Sequence, residues 1–160
     1  IRAAMPNVVL TTDIIVGFPG ETEAQFEETL SLVEEAKFAS AFTFIYSPRE
    51  GTPAADMADD VSEEEKRQRL VRLNEKIAQL SLESNRALAG QTVEVLVEGE
   101  SKTQANVLSG RTRTNKLIHF VGPKEWIGQF VQVRVTEPQT WYIRAEAVQG
   151  PSRTEAAQGA

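Results

Sequence analysis

Cysteine is absent from this 160-residue chain, and histidine occurs once, at His119. The first absence excludes a disulfide framework, a zinc–thiolate site and any cysteine-held iron–sulfur cluster within the chain. The second excludes a multi-histidine metal site, so no resident metal is expected. A cysteine-free chain fits a reducing compartment, and a cytoplasmic location is the expectation. No apolar run approaches the roughly 20 residues of a membrane span, and no secretory signal is visible. An initiator methionine is also missing. The chain opens on Ile1 and reads as the end of something longer.

Bases are scarce too. There are 17 Lys and Arg against 23 Asp and Glu, a formal charge of −6. Taken as an average this argues against a nucleic-acid partner, but the charge is unevenly spread. Asp56 to Glu65 holds six acids and no base. Lys102 to Lys124 holds Lys102, Arg111, Arg113, Lys116 and Lys124 and no acid. What is plentiful is apolar residue, at 41%, enough for a packed core.

Val8 to Val16 is an apolar, β-branched run that reads as a strand buried on both faces. Gly17, Pro19 and Gly20 break it. Thr22 and Gln25 form a capping box, and Phe26, Leu30 and Val33 recur at helical spacing up to about Lys37. Ala41 to Tyr46 is a second strand. Strand, helix, strand with short joints predicts a parallel βαβ unit. A turn-rich connection follows. Ser62 and Glu65 cap a long helix striped by Leu70, Leu73, Ile77 and Leu80, with Gly90 placed to end it. From Gln91 the period changes to two. Val93, Val95 and Val97 alternate with Glu94, Leu96 and Glu98. Further short strands are expected near 105–108, 117–121, 130–135 and 141–145, which together predict a small closed β-barrel. The tail after Val148 reads as disordered.

Three stretches offer chemistry. In Asp13–Thr22, Asp13 is a carboxylate within an apolar strand, sharing a face with Ile15 and Gly17. It either holds a hydroxylated or amine-bearing ligand at the strand end or pairs with backbone or a base elsewhere. In Phe44–Thr52, the backbone of Ile45 and Tyr46 flanks the same strand end. Arg49 there either meets an anion or sits in an exposed turn, the second being the plainer reading. In Ser109–Lys116, two arginines, a lysine, hydroxyls and an asparagine lie together without an acid. That is a donor set for phosphate and sugar oxygens, with Gly110 permitting close approach and Lys102, His119 and Lys124 extending the patch. Trp126 and Trp141 are either base-stacking surfaces or barrel core, and core is the expectation for both.

These residues resemble a known family. Asp13-Ile-Ile-Val-Gly-Phe-Pro-Gly-Glu-Thr22 is similar to the fifth-strand motif of radical-SAM enzymes. Tyr46-Ser-Pro-Arg-Glu-Gly-Thr-Pro-Ala54 is similar to the sixth-strand segment of their methylthiotransferase branch. Residues 91–148 resemble a TRAM domain, the small RNA-binding barrel that ends such enzymes. Gly110-Arg-Thr-Arg-Thr-Asn-Lys-Leu-Ile-His-Phe120 resembles the tRNA-modifying members rather than those acting on a ribosomal protein.

The resemblance implies an α/β plus all-β chain. Residues 1–61 would be the last βαβ portion of a partial (β/α)6 barrel, 62–90 a linking helix, 91–148 a five-stranded, OB-like TRAM barrel, and 149–160 a disordered tail. It implies a full-length enzyme that uses S-adenosylmethionine and [4Fe–4S] clusters to add a methylthio group to N6-isopentenyladenosine beside the anticodon. Asp13, Gly17, Ile45 and Tyr46 would lie at S-adenosylmethionine. Arg111, Arg113, Asn115 and Lys116, with Lys102, would contact the tRNA. The implied partners are the tRNA anticodon arm and the N-terminal part of the same enzyme. With every cluster cysteine missing, this chain alone is expected to be inactive and to bind no cofactor. The exposed edges of its first two strands are expected to favour dimerisation. A ribosomal-protein methylthiotransferase and a free-standing RNA-binding module are the competing readings.

Overall fold

The computed structural model describes residues 1–101, 104 and 106–151. Lys102 and the tail from residue 152 lie outside them, so the expectations attached to those residues concern positions outside the described structure. Two compact units are present, 1–81 and 82–160, and the boundary falls inside the second helix.

In the first unit, β1 (Thr11–Val16) and β2 (Ser40–Ile45) pair in parallel, with Asp13 opposite Phe42 and Ile15 opposite Phe44. Helix α1 (Glu23–Ala36) joins them, so the βαβ unit is present. Its capping box is the expected one. Thr22 accepts from the Gln25 backbone N–H, and the Gln25 side chain accepts from the Thr22 backbone N–H. Helix α2 (Glu63–Arg86) begins the same way, with Ser62 and Glu65 exchanging hydrogen bonds. One face of the sheet and the two helices share a core of Val16, Phe26, Val33, Leu73 and Ile77. The reading of β1 as buried on both faces needs correction. Ile15, Phe42 and Phe44 are 54%, 73% and 51% exposed. Both helices lie against the Ile14 and Val16 side, and no described element covers the other.

In the second unit, β3 (Thr92–Glu100), β4 (Val107–Thr112), β5 (Leu117–Val121), β6 (Phe130–Pro138) and β7 (Ile143–Gln149) close into a barrel in the order β3-β4-β5-β7-β6. All neighbours are antiparallel except β5 and β7, whose short parallel pairing completes the ring. Closure leaves no free strand edge. Alternation sends Val95, Val97, Leu108, Ile118, Phe120, Val131, Val133, Val135 and Ile143 into the core. No helix among the described residues is long and apolar enough to cross a membrane.

Two glycines owe their place to close packing. A Cβ on Gly110 would stand 2.3 Å from the Leu96 carbonyl oxygen, so this residue lets β3 and β4 approach each other. Trp126, against the barrel core, is held between Gly122 and Gly150, where Cβ atoms would come within 3.0 Å and 2.9 Å of the indole. Core is thus the right reading for Trp126. It is wrong for Trp141, which is 62% exposed.

Candidate nucleic-acid interface and ligand face

The basic stretch is less of a loop than the sequence implies. β4 runs through Ser109–Thr112, and a short turn leads to β5 at Leu117. Leu108 and Gly110 point inward, so Ser109 and Arg111 face out. The turn is tight. The Asn115 N–H donates to the Thr112 carbonyl, and the Lys116 N–H to the Thr112 hydroxyl. Asn115 sits at φ +62°, a left-handed conformation that asparagine tolerates well.

Arg111 and Arg113 are both presented outward, but neither is unpartnered. Arg111 donates to the Asn115 carbonyl at 3.0 Å and lies 3.5 Å from the Glu98 carboxylate. Arg113, with a side chain 80% exposed, pairs with Glu94 at 2.9 Å. Lys124 pairs with Glu100 at 2.7 Å, and that carboxylate holds its ammonium above the usual range. The acid-free run is real along the chain. Across the sheet, however, the β3 residues Glu94, Glu98 and Glu100 bring a carboxylate to each of these bases. Such exposed pairs are weak, about 0–1 kcal/mol, and exchange readily for a phosphate.

Lys116 behaves differently from the two arginines. Its ammonium turns inward to the Ser84 hydroxyl at 2.9 Å and the Asn85 side-chain oxygen Oδ1 at 2.6 Å. Burial without a neutralising acid pushes its pKa down. Asn85 in turn donates to the carbonyls of Gln139 and Thr140, which ties the turn to the end of α2 and to the β6–β7 connection. Lys116 thus differs from the arginines in its presentation: its ammonium is held within the second unit. Sequence gave no hint of this, because its partners are more than thirty residues upstream.

His119, on the outer side of β5, stands opposite Arg144 and edge-on to Tyr142 at 5.3 Å. Its Nδ1 is buried without a hydrogen-bond partner. Burial, helped by the Arg144 charge and opposed by the Leu108 backbone, holds the imidazole below its ordinary pKa.

In the first unit, Asp13 is exposed, on the open face with Ile15, Phe42 and Phe44. It is not the buried charge its apolar setting implies. Gly17 is buried at φ +71°, and its N–H donates to Glu21 at 2.7 Å. The space a Cβ would take is filled by Lys66, whose Cγ would be 2.3 Å away. Hence the glycine accommodates the Lys66 stem on its Cβ side.

Beneath this turn lies a charge cluster that sequence reasoning missed. Lys66, 2% exposed, pairs with Asp59 and Glu63. Arg69, 4% exposed, pairs with Glu21 and Glu23. Ile45 packs its side chain toward the helices, and Tyr46 meets Phe18 edge-on while its hydroxyl donates to the Ala54 carbonyl. Arg49 is exposed in a turn closed by Thr52, the plainer of its two readings. For S-adenosylmethionine, the open face offers the Asp13 carboxylate beside apolar side chains, while the Cβ side of Gly17 is taken by Lys66. For an iron–sulfur cluster the donor set is wrong, since the chain has no thiolate.

Residues 86–148 match the family model of the TRAM domain. Over 151 residues the chain is 60% identical to the tRNA-2-methylthio-N(6)-dimethylallyladenosine synthase of Bacillus cytotoxicus, covering 94% of this chain and 30% of that protein. It is 61% identical over 148 residues to the synthase of the same name from Geobacillus kaustophilus, covering 92% of this chain and 28% of that protein. For the Bacillus cereus protein the identity is 59% over 155 residues. The chain thus spans about 30% of the length of the curated relatives it matches. The likeness read from Asp13–Thr22, Tyr46–Ala54 and Gly110–Phe120 is borne out.

Proposed function

We propose that this chain is the C-terminal part of a tRNA methylthiotransferase, the part whose barrel holds the tRNA while the remainder of the enzyme performs the chemistry. In this reading residues 1–61 complete a partial radical-SAM barrel. Their open face, with Asp13, Ile15, Phe42 and Phe44, turns toward its interior, and Asp13 contacts S-adenosylmethionine there. The cofactor supplies radical chemistry when bound. This chain's own contribution is the carboxylate and the apolar wall beside it, with Ile45 and Tyr46 supporting the strand end. The iron–sulfur clusters belong to the remainder of the enzyme, so this chain alone does not turn over substrate. The substrate is N6-isopentenyladenosine next to the anticodon.

The second unit grips the anticodon arm through Arg111 and Arg113, with the Asn115 amide as a neutral donor to sugar or phosphate oxygens. Lys116 braces the turn that carries them, and Lys102 is proposed as a further contact to the RNA. The observation that carries this reading is the presentation of both arginines on the outer barrel wall, each held by nothing stronger than an exposed pair or a backbone carbonyl.

Salt titration of binding tests it. Affinity for an anticodon-arm RNA should fall steeply with salt, because each phosphate contact releases counterions. Joint replacement of Arg111 and Arg113 by alanine should lower the slope of log affinity against log salt by about one to two. An unchanged slope would reject them as phosphate contacts.

A further inference from the structure

We infer that the outer barrel wall carries a stacking site for one unpaired RNA base, built from Phe130 and Leu96 and flanked by Arg113 and Arg111. The inference rests on the RNA-binding reading and adds to it a subsite and a preference for unpaired RNA.

Leu96 is the register partner of Phe130 on β6 and of Arg111 on β4. All three side chains point outward, because Val95, Val97 and Val131 take the inward positions. They form a row across three neighbouring strands, ring beside alkyl group beside guanidinium, at the spacing where cross-strand side chains touch. Phe130 is 52% and Leu96 37% exposed. The Arg113 guanidinium carbon lies 6.0 Å from the Phe130 ring centroid.

A hydrophobic ring left open on a small barrel, with one guanidinium near it and a second across Leu96, matches a nucleotide in both of its parts. The ring takes the flat base, and the guanidinium groups take the adjoining phosphates. A protein side chain of the same area would have to desolvate both arginines without supplying a phosphate to replace their carboxylates. The pairs of Glu94 and Glu98 with the arginines are exposed ones, which an incoming phosphate replaces.

Arginine contacts alone bind paired and unpaired RNA alike. A stacking ring favours RNA whose bases are free to unstack from their neighbours. The test uses the 160-residue chain and two labelled RNAs of equal length, a hairpin with an unpaired loop and a blunt duplex, with binding read by fluorescence anisotropy. The wild type should prefer the hairpin. Phe130→Ala should weaken hairpin binding by about tenfold, the scale of one base–aromatic stack. It should change duplex binding little and leave the salt slope intact, since no charge is lost. Phe130→Trp should restore the preference.

Equal losses on both RNAs, no loss at all, or failure of Phe130→Trp to restore binding would overturn the stacking site while leaving the arginine contacts standing. A wild type that binds neither RNA at low salt would overturn the RNA reading itself.

Discussion

Single side chains in this protein are governed by what crosses the sheet or helix to meet them. Lys66 fills the space that Gly17 vacates, and Arg69 reaches Glu21, whose carboxylate also takes the Gly17 N–H. A sequence reader sees a glycine after a strand and infers room for a ligand. Only the fold reveals that a buried lysine stem occupies the Cβ side of that glycine. The arginines follow the same logic, since the carboxylates that answer them, Glu98 and Glu94, sit on the preceding strand β3. His119 gives the clearest prediction at this scale. Its folded pKa lies below the ordinary 6.5, so the neutral form is the one the fold favours. The associated stability is present above pH 6.5 and is lost as pH falls through the lowered folded value. His119→Gln should remove that component. In thermal melts the wild type should lose stability relative to the variant as pH drops from 7 towards 5. Parallel curves over that range would show that the imidazole is not a determinant.

At the level of helices and strands, sequence was a good guide wherever a local signal sufficed. Both capping boxes form with the partners expected from Thr22–Gln25 and Ser62–Glu65. The parallel pair and the five-stranded ring also appear as expected. The strand edges moved, since β4 continues through Thr112 where turn-like residues predicted a loop. Gly110 caused that error. Glycine usually signals a turn, but here it answers the nearness of the Leu96 carbonyl. The burial of β1 on one face only was also illegible, because an apolar run records hydrophobicity and not which neighbours are present to cover it. The α2 cap is testable in isolation. Ser62→Ala removes an acceptor from the Glu65 N–H and should destabilise the first unit by about 1 kcal/mol, measured by urea denaturation followed by helical circular dichroism. No change in midpoint would mean that backbone and solvent satisfy this helix end without the hydroxyl.

Across the whole molecule, the two units differ in how completely they close. The barrel has no open edge. The βαβ unit leaves Ile15, Phe42 and Phe44 uncovered on a two-stranded sheet. Apolar surface of this kind drives association when nothing else covers it. Sedimentation velocity should therefore show the isolated chain self-associating as concentration rises. Phe42→Lys, which places a charge at the most exposed ring of that face, should suppress the effect. A wild type that stays monomeric over the same range would show that the uncovered face is tolerated in water.

The answering of Arg111, Arg113 and Lys124 by β3 carboxylates also shapes how an encounter with a polyanion would proceed. Viewed from several ångströms away, neighbouring plus and minus signs cancel, and the chain as a whole is anionic. Such a surface exerts little long-range pull, so it does not hasten collision as a uniformly cationic groove would. Its attraction emerges at touching distance, once guanidinium groups swing from resident carboxylates to the visitor. For the proposed RNA partner, the barrel is thereby suited to holding contacts after arrival rather than to speeding the encounter.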